Sequence, residues 1–92
     1  MEKILRKHFI FYGRVQGVGF RYRAYSAAIK LGLSGFVSNL YNGTVEMEVQ
    51  GTEEEINRLV VTLDQTKPIR IEGIDSEEIP VKHKEKGFRM LN

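Results

Sequence analysis

Apolar residues alternate with polar ones near the start of the chain, then recur at helical spacing, and the same switch happens again further on. Residues 7–12 are rich in aromatic and β-branched side chains and read as a strand. Ala24, Ala27, Ala28 and Leu31 form a stripe that predicts a helix over 21–31, with Gly32 as its C-terminal cap. Residues 35–41 and 44–50 flank Asn42-Gly43, a strong hairpin signal. Val45, Met47 and Val49 alternate there with Glu46, Glu48 and Gln50, so the second of these strands has one buried face. Thr52 and Glu55 have capping-box spacing, and Ile56, Leu59, Val60 and Leu63 follow as the apolar stripe of a second helix. Ile69 and Ile71 start another strand after Pro68, the charged residues 77–86 read as loop, and Phe88 with Met90 predict a short closing strand.

Two helices and a mainly antiparallel sheet make an α+β sandwich in which both helical stripes cover one sheet face. The order βαββαβ is the ferredoxin-like arrangement, a fold that hosts many unrelated activities. Function has to be read from particular residues.

The connection between the first strand and the first helix carries the chemistry. Gly13, Gly17 and Gly19 permit backbone angles that turn successive N–H groups toward one point, a concavity suited to an anion. The helix that follows adds its unpaired first-turn N–H groups and the positive end of its dipole. Arg21 falls in that first turn, where a cation is disfavoured by about 0.3–1 kcal/mol. A bound anion reverses the penalty, and the planar guanidinium suits paired contacts to phosphate oxygens. Arg14 and Arg23 add positive potential. The segment is not a P-loop, because no Gly-Lys-Ser/Thr ends it, and Tyr22 breaks a G-x-G-x-x-G pattern.

Composition narrows the setting. Ninety-two residues, 41% of them hydrophobic, build one modest core, so a single domain over 1–92 is expected. The absence of cysteine excludes disulfides, thiolate nucleophiles and thiolate metal sites, and predicts a cytoplasmic protein. The first seven residues lack the apolar stretch of a signal peptide, and no apolar run approaches membrane-spanning length. No membrane association is expected. A net charge of +2 is too small to argue for nucleic acid. His8 and His83 have no metal-ligand spacing, so no metal site is expected.

The run Gly13-Arg14-Val15-Gln16-Gly17-Val18-Gly19-Phe20-Arg21, the segment 31–39 (LGLSGFVSN) and Asn42-Gly43-Thr44-Val45-Glu46 stand in the order and spacing of a known family. The chain resembles the acylphosphatases over essentially its whole length. That resemblance implies a hydrolase of acyl phosphates needing neither metal nor cofactor, with inorganic phosphate as product and inhibitor, and a monomer is expected. It implies a phosphate-binding loop of Arg14, Val15, Gln16, Gly17, Val18, Gly19 and Phe20, a catalytic arginine at Arg21 and a catalytic asparagine at Asn39.

The residues themselves give Asn39 weaker support. If Asn42-Gly43 makes a two-residue turn, Asn39 lies opposite Glu46, on the face away from Val45, Met47 and Val49. An amide there could hold a water for attack while touching a phosphoryl oxygen. Two rival readings stay open. Gly17-Val18-Gly19-Phe20 superficially matches the glycine-rich aromatic core of an RNA-recognition motif, although that signature belongs on a strand after the first helix. An anion-sensing domain would use the cradle without turnover.

Overall fold

The computed structural model describes residues 2–92. Its elements are β1 (Ile4–Arg14), α1 (Phe20–Leu31), β2 (Ser34–Asn39), β3 (Val45–Thr52), α2 (Glu53–Gln65), β4 (Arg70–Ile79) and β5 (Phe88–Met90). The sheet order is β4-β1-β3-β2-β5; all neighbours are antiparallel except β2 and β5, which run parallel. This is the expected βαββαβ sandwich with one short strand added at the β2 edge.

Phe9, Phe11, Val37, Val45, Met47 and Val49 point from the sheet into a core closed by Phe20, Ala24 and Ala28 of α1 and Ile56, Leu59 and Leu63 of α2. The small residues of α1 let that helix lie close to the sheet. Thr52 and Glu55 exchange both capping-box hydrogen bonds, and Gly32 ends α1 in the left-handed conformation, each as the spacing predicted.

Two expectations are corrected. Residues 77–79 continue β4 instead of starting a loop, because their backbone pairs with residues 6–8 of β1 while their side chains remain largely exposed. Charge on such an edge opposes pairing with another chain. The second correction concerns the hairpin. Leu40 N–H donates to Thr44 O at 2.9 Å and Gly43 N–H to Leu40 O at 3.2 Å, so Tyr41, Asn42 and Gly43 form a three-residue connection. Asn42 Oδ1 accepts from the Thr44 amide at 3.1 Å and hydroxyl at 2.6 Å, which holds this turn. The register therefore pairs Asn39 with Val45 and Ser38 with Glu46. Asn39 shares the helix-covered face, opposite to the face that a two-residue turn predicts.

The other face of the sheet is held by a buried cation. Arg6 is fully buried and donates from Nε to Glu48 at 2.9 Å and from Nη1 and Nη2 to Glu85 at 2.6 and 3.3 Å. Gln50 joins it and exchanges hydrogen bonds with the Lys82 backbone, both at 2.9 Å. Residues 82–85 are thereby strapped across the strands. Hydrogen bonding to Arg6 lowers the Glu85 pKa from its ordinary value, against the opposing effect of burial. A carboxylate with a depressed folded pKa stabilises above its unfolded pKa and loses that contribution as pH falls through the folded one. Glu85→Gln should therefore cost about 1.5–3 kcal/mol in urea denaturation at pH 7. The gap between variant and parent should narrow only as pH falls through the depressed folded pKa of Glu85, below the ordinary glutamate range.

Candidate active site

The connection from β1 to α1 is pinned at both ends by the buried side chains of Val15 and Phe20. Between them Gly17 (φ 73°) and Gly19 (φ 81°) adopt left-handed conformations, and an added Cβ would meet nothing within 4 Å at either position. What these two glycines supply is backbone geometry. Gly13 serves the β1–β4 contact instead, since a Cβ there would come within 2.4 Å of the Arg70 carbonyl oxygen.

The N-termini of the two helices differ. The first turn of α2 carries Glu53, Glu54 and Glu55 and a side-chain cap; that of α1 has no acidic residue and no side-chain cap on its N–H groups. It has Arg21 instead. The positive end of the α1 dipole and a guanidinium thus lie together, and among the described residues Arg21 has no ion-pair partner. Arg21 Nη1 donates to Leu91 O at 2.9 Å, which orients the side chain while leaving most of its donors uncommitted. The Leu91 amide in turn donates to Val37 O at 2.8 Å.

A cavity of about 160 Å³ opens where these elements meet. Val15, Gly17, Gly19 and the first residues of α1 line one side, and Asn39 and Met90 face them from the sheet. Its volume lies below the roughly 300–1,000 Å³ of sites that hold drug-sized ligands, and corresponds to about five waters. A phosphoryl group with an attacking water suits that scale. Among the described residues, Asn39 Oδ1 is buried without a hydrogen-bond partner. An unsatisfied buried acceptor costs about 1–3 kcal/mol.

The structure brings Val15, Gly17, Gly19, Phe20, Arg21 and Asn39 to this one cavity. Val18 packs partly against the core. The Gln16 side chain turns to the hairpin and hydrogen-bonds the carbonyl oxygens of Leu40 and Thr44. Arg14 lines a separate groove of about 440 Å³ with Lys67 and Arg70, so its side chain contributes to the positive potential beside the loop and not to the cavity wall. Tyr22, Met90 and Leu91 are participants that the sequence did not single out. Leu91 acts through its backbone carbonyl, for which no side-chain signal exists. Among the described residues no group of three or more His, Cys, Asp or Glu is placed to hold a metal ion, and no helix is long and apolar enough to cross a membrane.

The family model for acylphosphatase matches residues 7–90. The chain belongs to the acylphosphatase family. It is 42% identical to the acylphosphatase of Geobacillus kaustophilus, over 94% of this chain and 93% of that one. It is 39% identical to the acylphosphatase of Vibrio cholerae, over 99% of this chain and 100% of that one. The crystal structure of acylphosphatase from Bacillus subtilis superposes with a TM-score of 0.87 at 31% identity, covering 96% of this chain and 99% of that one. Family membership places the chain among hydrolases and accounts for the five-stranded sheet with its two helices.

The loop geometry makes a measurable demand. Gly19→Ala puts a Cβ on a left-handed residue with open space around it, so the loss of stability should be only about 1–2 kcal/mol by urea denaturation. Phosphate affinity should fall as well, because relief of that strain re-aims the N–H groups at the cavity. Unchanged affinity, measured by calorimetry, would show that the loop does not bind the anion.

Proposed function

We propose that the protein hydrolyses acyl phosphates to a carboxylate and inorganic phosphate by in-line attack of water on phosphorus. The N–H groups of the loop from Arg14 to Phe20 and the guanidinium of Arg21 hold the phosphoryl group, and Asn39 orients the water. The supporting observation is that Asn39 and Arg21 line one cavity together with the glycine-rich loop. An amide offers both a donor and an acceptor, which suits holding a water with its lone pair aimed at phosphorus.

Phosphoryl transfer needs positioning and charge stabilisation more than proton chemistry. The leaving carboxylate departs without protonation, because carboxyl groups, with pKa values of about 4, are ionised at neutral pH. The attacking water can pass its proton to a phosphoryl oxygen, so no general base, metal or cofactor is called on. The loop and Arg21 then hold inorganic phosphate, which acts as product and inhibitor. We take the protein to be a cytoplasmic monomer, a single domain over 1–92 without cysteine.

Purified protein should consume acetyl or benzoyl phosphate in the presence of a chelator; no turnover above buffer would refute the proposal. Arg21→Ala and Asn39→Ala should each reduce kcat by about 10²-fold or more, the scale of losing a transition-state donor. The two losses should differ in kind. Arg21→Ala should also weaken inhibition by inorganic phosphate, whereas Asn39→Ala should leave it nearly intact, and equal weakening in both would contradict the assigned roles.

A further inference from the structure

Gln16 lies between two residues that line the cavity, yet its side chain leaves the loop. Its Nε2 stands 2.7 Å from Leu40 O and 2.8 Å from Thr44 O. Both partners are acceptors only, so the amide nitrogen must face them and both its protons are engaged. Leu40 and Thr44 are the pair that closes the β2–β3 hairpin, through Leu40 N–H to Thr44 O at 2.9 Å. Each of these carbonyls therefore accepts twice, once within the turn and once from Gln16.

Asn39 directly precedes Leu40, so the Gln16 side chain bridges the loop assigned to phosphate and the backbone that carries the residue assigned to water. Other ties between the two elements are apolar packing or run through Leu91, which joins Arg21 to Val37. Packing resists separation but tolerates sliding. Two convergent hydrogen bonds from one planar amide define a position. A displacement of about 1 Å between reacting groups can cost about 10²-fold in rate.

We propose that Gln16 is a positioning residue for catalysis, an amide clamp that holds the phosphate loop and Asn39 at the separation required for in-line attack. This rests on the roles given above to the loop and to Asn39. The cradle itself is shaped by Gly17, Gly19 and the start of α1, so the clamp governs kcat and not anion affinity.

Gln16→Ala should lower kcat by about tenfold or more while changing inhibition by inorganic phosphate less than about threefold. Gln16→Glu should lose at least as much, because a carboxylate cannot donate to two carbonyls. On an Asn39→Ala background the further substitution Gln16→Ala should change kcat by less than about twofold, since the clamp then has nothing left to place. Losses that multiply would show that Gln16 acts independently of Asn39 and would overturn the proposal. So would weakened phosphate inhibition with kcat unchanged. Two readouts do not depend on turnover. Both side-chain amide protons of Gln16 in the parent protein should be protected from exchange, and Gln16→Ala should shift the side-chain amide resonance of Asn39. Absent protection or an unmoved resonance would overturn the clamp. A parent protein that is inactive but shows both signals would refute the hydrolytic reading alone.

Discussion

The Leu40–Thr44 closure of the hairpin decides which face of the sheet carries Asn39. In a strand, side chains alternate between faces, so a shift of one residue would move Asn39 to the far side, with Ser38 taking its place under the helices. The three-residue turn prevents this. Asn42 holds the turn from inside by accepting from the Thr44 amide and hydroxyl, and Gln16 holds it from outside. With that register, Asn39 lies beside Val45 on the buried face, where α1 begins and the glycine-rich loop passes over the sheet.

The start of α1 then supplies what a sheet cannot. Its first residues, Arg21 among them, line one small cavity, while α2, built on the same sheet face, closes its own N-terminus with three glutamates and a capping box. Two helices of similar length thus begin in opposite ways. One is capped within the chain, and the other has neither an acidic residue nor a side-chain cap in its first turn. Arg21 is oriented by the Leu91 carbonyl, a contact that ties the residues after β5 to the site. On the opposite sheet face Arg6 is paired internally with Glu48 and Glu85, so its charge serves the scaffold. Arg6 and Arg21 therefore answer to different constraints despite identical chemistry.

Much of this is legible in the amino-acid order. Apolar alternation marks the strands, the Thr52–Glu55 spacing marks the second helix start, and the glycines with Arg21 mark the cradle. The failures have physical causes. Asn42-Gly43 signals a tight turn, but the turn length is set by the Asn42 side chain accepting from Thr44, which the dipeptide does not reveal. The inference from that turn puts Asn39 on the face away from Val45, whereas the register pairs the two on one face. Gln16 reads as one more loop residue, because its hydrogen bonds go to carbonyls 24 and 28 residues away. Arg6 reads as an ordinary polar position ahead of the first strand, since only strand pairing brings Glu48 beside it and a folded-back strap brings Glu85. Local pattern reports local geometry; contacts made across the sheet need the fold.

The central claim is that the loop, Arg21 and Asn39 form one phosphate site. It is tested most directly by titrating inorganic phosphate into nitrogen-labelled protein and following every backbone and side-chain amide by NMR. Saturable shifts are expected, concentrated at residues 15–21 and at the Asn39 side chain, with little change at the neighbouring groove of Lys67 and Arg70. Shifts centred on that groove, or none at the loop at saturating phosphate, would contradict it.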